Sequence, residues 1–471
     1  MNKKYQRRLM APVLLTLALS ACTLQPSYER PAMPTASNWN STGAAGNTAA
    51  NGADIGWRSF FTDPAMRQLI ELALQNNRDL RVAAFNVETA RAQFRIESAG
   101  LTPTANTGLS QTAEHLPGNL YSTSNSGPVT YHQLEGAMST SWELDFFGRL
   151  RSLRDEALES YLSSEATRRA TQISLVSEVA SGYLTLCADN ELLQLARFTA
   201  ESQRDSYAVT QAGYDAGASN AQDLSQAETS VRSAEAQVAQ YRRQVRLDAN
   251  ALRLLLGAEL PANLLDNARL NGDWRFPATP AGLPSDLLTR RPDIIAAEHT
   301  LKAANADIGA ARAAFFPSIS LTASGGSYSS SLDHLLTGGT AFWSFVPSIS
   351  VPIFDGGVNQ ANLDIARIAQ RSDVAAYEKA IQQAFKEVAD ALAGQETYRD
   401  ELSARRLDTA ASQRYYDLAA LRFRQGVDNH LNVLVAQRSL YTAQQSQITT
   451  RMNMLNQQIT LYKALGGGWK E

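Results

Sequence analysis

Two cysteines and five histidines are the side chains of this 471-residue chain best suited to metal binding or nucleophilic attack. Their spacing supports neither. His115, His132, His299, His334 and His430 are scattered, with no pair at the separations that metal ligation uses. Cys187 lies in a helical pattern with Tyr183, Leu184 and Leu186, where a small buried hydrophobe is expected rather than a nucleophile. The chain has no GxxxxGKS/T phosphate loop and no GxSxG nucleophile elbow. Gly466-Gly467-Gly468 follows a helical run and reads as a helix stop. Neither catalysis nor a cofactor is expected. The competing class is a hydrolase or glycan-binding protein of the cell envelope.

The N-terminus carries the one reactive pattern. Lys3, Lys4, Arg7 and Arg8 precede an apolar run from Leu9 to Leu19, then Ser20 and Ala21, which reads as a cleaved secretory signal over residues 1–21. Leu19-Ser20-Ala21-Cys22 also resembles a bacterial lipobox, with Cys22 as the lipidated first residue of the mature chain. An ordinary signal with a chance cysteine is the alternative. Thr23 rather than aspartate follows, which in the lipoproteins this resembles favours the outer membrane. Cleavage leaves 46 acidic residues against roughly 39 basic ones, an excess that argues against a nucleic-acid partner. With Cys187 the one cysteine left, no internal disulfide is available.

The elements around these residues are repeated. Asp79 and Pro103 recur as Asp293 and Pro317 at one displacement, and Gly217, Leu256 and Gly257 recur as Gly426, Leu465 and Gly466 at a second. The chain divides into an extended segment 22–64, a first repeat 65–257, a proline-rich connection 258–286, a second repeat 287–466 and a tail 467–471. Each repeat holds two alternating stretches, at about 104–114 and 131–147, then 317–327 and 342–354. Leu134, Gly136, Met138, Thr140, Trp142, Leu144 and Phe146 share one face against Gln133, Glu135, Ser139, Ser141 and Glu143. A soluble half-buried sheet alternates in the same way. The strand lengths suit tilted membrane strands, and Trp142, Phe146, Phe147, Trp343 and Phe345 suit lipid-facing or girdle positions.

No proline occurs from Val129 to Leu260 or from Ile353 to the end. The run from Arg149 to Tyr214 predicts a helix on the order of 100 Å long. Val231, Ala234, Val238, Tyr241, Val245, Asp248, Leu252 and Leu255 form a heptad seam. A solitary coiled-coil rod would leave four strands unexplained. Four strands cannot close a barrel, and lipid tolerates no open sheet edge. Two copies give eight strands, three give twelve and four give sixteen, and only the larger two leave a lumen. The residues alone do not choose between three and four.

Several motifs together resemble the outer-membrane factor (TolC-like) family, OprM type. These are the lipobox, Trp57-Arg58-Ser59-Phe60-Phe61-Thr62-Asp63-Pro64, Arg290-Arg291-Pro292-Asp293-Ile294, the run from Ala310 to Ile319, Pro352-Ile353-Phe354 and the run from Tyr462 to Trp469. The resemblance implies a membrane β-barrel plus a long α-helical barrel, formed by a homotrimer with four strands per protomer. It implies the outer-membrane exit duct of a tripartite efflux pump, with a periplasmic adaptor and an inner-membrane resistance-nodulation-division (RND) transporter as partners. It places a periplasmic gate at Leu431, with Phe423 beside it and polar locks at Arg424 and Asp428. Val435 stands where an aspartate is common in the family, and Phe423 where a tyrosine is common. Gly217, Ala218 and Ser219, with Gly426 and Val427, form two tip turns expected to meet the adaptor. The loops 115–130 and 328–340 are expected outside the cell.

Overall fold

The computed structural model describes residues 23–36, 52–117, 128–266, 268–270, 274, 276–282 and 284–470. Cys22, the expected signal segment and the loop 118–127 lie outside the described residues. The chain forms two compact units. One comprises residues 1–31, 87–164 and 297–377, and the other comprises residues 32–86, 165–296 and 378–471. Each unit draws on both repeats, so the repeats are not themselves the compact units.

The main helices are α1 (Pro64–Asn76), α2 (Arg78–Ala99), α3 (Arg149–Asp215), α4 (Ala221–Leu256), α5 (Pro292–Ala313), α6 (Val358–Arg424) and α7 (His430–Ala464). Helices α2 and α5 have 22 residues each, and each ends four residues before its repeat's proline, Pro103 or Pro317. Helices α3 and α6 have 67 residues each. The duplication is therefore one of structure as well as of motifs. The two displacements differ because the first strand pair is the longer one.

In the first unit, β1 (Thr104–Leu116), β2 (Val129–Leu144), β3 (Ser318–Ser329) and β4 (Ala341–Ser350) form one antiparallel sheet in chain order. Two strand ends fall short of the sequence expectation. β2 stops at Leu144, not 147, because Asp145 turns to cap α3, accepting from Leu150 N at 3.2 Å and Arg151 N at 2.9 Å. β4 stops at Ser350, not 354, because Pro352 has no donor for a ladder and Asp355 caps the next helix, accepting from Gly357 N and Asn359 N at 2.8 Å. Phe147 therefore lies off the sheet and stacks on Phe316, centroids 4.8 Å apart.

The same unit contains the segment 23–31, which runs antiparallel along α5. Arg312 donates to the Leu24 carbonyl (3.0 Å) and Asn305 to that of Pro26 (2.8 Å). Arg30 makes a bidentate pair with the buried Glu298 (2.9 Å), to which Tyr28 also donates. The helix from 298 to 312 spans about 21 Å and the segment from 24 to 30 about 20 Å, so the two match turn for turn.

The second unit holds the main core. Asp63 caps α1 by accepting from Met66 N at 2.7 Å, and Pro64 sits in the first turn, where its missing N–H costs nothing. This fixes Trp57, Phe60 and Phe61 as fully buried anchors against α3, α4 and α7. Phe60 stacks on Tyr462 at 3.9 Å, and the Tyr462 hydroxyl donates to the Ile55 carbonyl. The predicted heptad seam of α4 is buried or half-buried at every position.

One junction occurs twice in this unit. Asn77 donates to the Leu255 carbonyl at 2.8 Å, and Arg291, its counterpart, donates to the Ala464 carbonyl at 2.9 Å. Beside each contact a left-handed glycine, Gly257 (φ +62) or Gly466 (φ +89), meets the Asn76 or Arg290 carbonyl. The chemistry has diverged while the geometry has not. Arg291 is a buried guanidinium that also pairs with Asp293 (2.6 Å) and Glu387 (2.8 Å).

Candidate functional site

The register of the sheet sorts its residues onto two faces, because directly paired residues point the same way. Leu109 pairs with Gly136, Trp142 with Leu321, Gly325 with Trp343, Ala323 with Phe345 and Ile319 with Ile349. This gives one continuous apolar face, on which Leu109, Met138, Trp343, Phe345 and Ile349 are all more than half exposed. The other face carries Asn106, Ser110 and Thr112 of β1, Gln133, Ser139 and Ser141 of β2, and the serines and threonine at 318, 320, 322, 324, 344, 348 and 350. Ser324 and Ser344 hydrogen-bond across strands at 2.7 Å. The four strands carry three acids (Glu114, Glu135 and Glu143) and no lysine or arginine. Glu143 is paired with Arg149 at 2.8 Å. This hydroxyl face also carries all three acids, so it is a mostly neutral polar surface with a few carboxylates and no basic side chain. Its β1 and β4 margins are the sheet's two open edges.

The helical tips lie in the second unit and are built alike. Helix α3 ends with Gly217 at φ +73, where Ala218 N donates to the Gly213 carbonyl (2.7 Å) and Gly217 N to that of Tyr214 (2.9 Å). Helix α6 ends with Gly426 at φ +71, where Val427 N donates to the Arg422 carbonyl (3.0 Å) and Gly426 N to that of Phe423 (2.9 Å). These bonds satisfy the last carbonyls of each helix and need a left-handed residue, which glycine supplies. Asn220 then caps α4 by accepting from Asp223 N at 2.9 Å.

The predicted gate residues separate into two groups. Leu431 is exposed, as is the tip residue Val427, whereas Phe423 packs on the buried trio Ala419, Val433 and Ala436 and lies 4.8 Å from the His430 ring. Within the protomer Arg424 and Asp428 do not meet. Asp428 is paired with Arg422, which holds its carboxyl below the usual range, and Arg424 donates to the Ala420 carbonyl at 3.3 Å. Arg422 was the residue missed. The signal for it was the Gly426 turn, which folds the residue two after it back over the residue four before it. In the first tip the same fold brings Ser219 over Gly213. Val435 lines a cavity of about 300 Å³ with Leu431, Leu434, Gln437 and Tyr441.

His430 bonds through Nε2 to the Ser206 hydroxyl at 2.7 Å, and burial pushes its pKa down. His299 is paired with Glu159 at 2.6 Å. Burial pushes the Cys187 thiol up to about 12, so it is an inert core group.

An acidic pair joins α3 to the α4 seam. Asp248 accepts from Gln244 at 3.0 Å through one oxygen, and its other oxygen is buried facing Asp189 of α3. Burial first, then the hydrogen bond to Asp248 and its repulsion, raise Asp189 to about 7. The folded chain thus keeps a proton that the unfolded chain releases near pH 4, so stability falls as pH rises through the weakly acidic range and levels above neutrality. Asp248→Asn is expected to raise the thermal midpoint at pH 7.5 and to leave it nearly unchanged at pH 4. The gain is on the order of 1 kcal/mol once solvent screening of a half-exposed pair is allowed for. Equal shifts at both pH values in a thermal melt would refute the shared proton.

A four-stranded sheet with one apolar and one hydroxyl face, joined to tightly turned helical hairpins, defines a channel-forming protein of the cell envelope. The sequence profile described as "Outer membrane efflux protein" matches residues 69–258 and 283–467. The chain belongs to the outer membrane efflux protein family and is an efflux channel of the outer membrane. It is 47% identical over 470 residues to the toluene efflux pump outer membrane protein TtgC of Pseudomonas putida, covering 98% of this chain and 97% of the relative. The outer membrane protein OprJ of Pseudomonas aeruginosa is 42% identical over 462 residues, with 98% and 96% covered. The crystal structure of the open state of the Neisseria gonorrhoeae MtrE outer membrane channel superposes with a TM-score of 0.86 at 36% identity, covering 95% of this chain and 99% of that one. The two matched segments overlap the repeats 65–257 and 287–466.

Proposed function

We propose that three copies of the chain close edge to edge into a twelve-stranded barrel, with the hydroxyl face lining the lumen and the apolar face in lipid. The chain then conducts solutes outward passively, without catalysis. Its driving force comes from an inner-membrane RND transporter joined to it through a periplasmic adaptor. The observation that carries this is the sheet register: one dry face, one wet face and two unpaired edges. Two copies would give eight strands, whose interior side chains fill, whereas twelve leave a lumen. The names of the relatives point to mixed cargo, antibiotics and organic solvents such as toluene. Segment 23–31 supports a lipid on Cys22. It leads residue 23 to the end of α5, five residues before β3, where an acyl chain would enter the membrane beside the barrel.

Two experiments test this. A cysteine at Ser330 is expected to react with an impermeant thiol reagent on intact cells, and one at Ser219 only after the outer membrane is permeabilised. The reverse pattern would invert the topology and remove the duct. At the gate, Leu431→Ala is expected to raise single-channel conductance in planar bilayers several-fold, because Leu431 is the exposed apolar side chain opening α7. Unchanged conductance in correctly assembled channels would move the constriction elsewhere.

A further inference from the structure

We infer that the loop joining β3 to β4, residues 330–340, is a membrane wedge, whose leucines contact acyl chains of the outer leaflet at the barrel's rim instead of covering the pore mouth. The inference rests on the barrel reading above.

The loop is compact. Leu335 N donates to the Leu332 carbonyl at 3.3 Å and Thr337 N to that of His334 at 3.2 Å. The Thr340 hydroxyl donates to the Leu335 carbonyl at 3.1 Å, and Tyr328 N closes the hairpin on the Thr340 carbonyl at 2.9 Å. This folding gives the loop a fixed side. Leu335 is 7% exposed, unusual for a leucine in a surface turn. It lies over Gly136, where a β-carbon would sit 3.4 Å from Leu335 Cδ2 and 3.7 Å from Leu109 Cδ1. Gly136 and Leu109 are register partners on the apolar face. The missing side chain of Gly136 leaves the space that Leu335 fills.

The direction of the fold decides the function. A loop that closed a pore would turn toward the hydroxyl face, whereas this one turns onto the face that carries Met138, Trp343 and Phe345. On either side of the buried Leu335, Leu332 and Leu336 are 65% and 91% exposed. Between them Asp333 and His334 are exposed and polar, as befits the headgroup level. Leu335 seats the loop on the lipid-facing surface at the level of the last β3–β4 pair, Ser327 with Ala341, beyond which β1 and β2 extend further, and the exposed Leu332 and Leu336 flank it in the chain. Continuity with that surface selects acyl chains as the occupant. Each leucine leaving water for hydrocarbon contributes on the order of a tenfold gain in partitioning or more.

Full-length chains with single spin labels at Leu336→Cys, Ser330→Cys or Phe345→Cys test the inference, since Cys187 is buried and inert and the Cys22 sulfur is taken up by the lipid proposed above. They are reconstituted in phosphatidylethanolamine–phosphatidylglycerol vesicles, and collision with dissolved oxygen is compared with collision with a water-soluble nickel chelate. The Leu336 label is expected to match the Phe345 label, with an oxygen-to-nickel ratio roughly tenfold above that of the Ser330 label. A Leu336 label as nickel-accessible as Ser330, with Phe345 still in lipid, would overturn the wedge and leave the barrel standing. A Leu336 label shielded from both reagents would assign the loop to a neighbouring copy and overturn the wedge equally. A nickel-accessible Phe345 label would overturn the barrel itself.

Discussion

Gly257→Val and Gly466→Val are each expected to abolish the assembled channel. At Gly257 the backbone is left-handed, and an added β-carbon would sit 2.4 Å from the Asn76 carbonyl oxygen. At Gly466 the corresponding distance to the Arg290 oxygen is 2.9 Å. Both obstacles are backbone atoms between helices and cannot swing aside. The left-handed conformation costs about 1–2 kcal/mol for a branched residue and the overpacking about 1–3 more. A loss of about 2–5 kcal/mol is a large share of ordinary folding stability. Gly426→Val is the control, since nothing lies within 4 Å of that position and only the conformational part applies. Native gels and thermal melts of detergent-extracted protein provide the measurement. Normal yields of assembled Gly257→Val would show that the α1–α2 turn yields, contrary to the packing described.

Gly217→Glu and Gly426→Glu are expected to leave assembly intact while resistance to exported compounds falls to the level of a deletion strain. Both glycines face open space, so the substitution strains one turn by about 1–2 kcal/mol without touching the core. What changes is the outer surface of the tip. Gly213, Gly217, Ala218 and Ser219 present little side chain, which lets a partner's backbone come close, and a glutamate there holds it off. The readout is drug susceptibility alongside the amount of assembled channel in the outer membrane. Wild-type susceptibility with both variants would rule out the tips as the adaptor's contact.

Much of this architecture is written in local pattern. The alternation over 133–144 gave the β2 faces, and the 3,4 spacing from Val231 to Leu255 gave the buried seam of α4. The Trp57–Pro64 motif, which carried part of the family resemblance, holds the buried anchors Trp57, Phe60 and Phe61 and the start of α1. The register could not be read, because sliding β1 by two residues preserves its alternation. Strand ends were overestimated at Phe146–Phe147, where Asp145 has already turned the chain into a helix cap, and at 351–354, where Pro352 ends the ladder ahead of the Asp355 cap. The segment 23–31 gave no sign of its seat on α5. Its contacts span about 270 to 290 residues of sequence and leave no local trace. At the tip, resemblance named Arg424 and Asp428 as polar locks, and within the protomer Asp428 pairs with Arg422. The choice is made by the Gly426 turn, a matter of backbone direction rather than residue type.

The two open margins of the sheet also have a genetic meaning. A protomer whose β1 edge is sound but whose β4 edge is spoiled can still join a ring, and no ring that contains it will close. Such an allele would be dominant over the normal one. With equal expression and random mixing in threes, only about one assembly in eight would be wholly normal. Pro347, already placed in the edge strand β4, shows that this margin tolerates a missing donor at one position. The remaining positions along it are where dominant alleles should cluster, whereas lesions in the core that prevent a protomer from folding would be recessive.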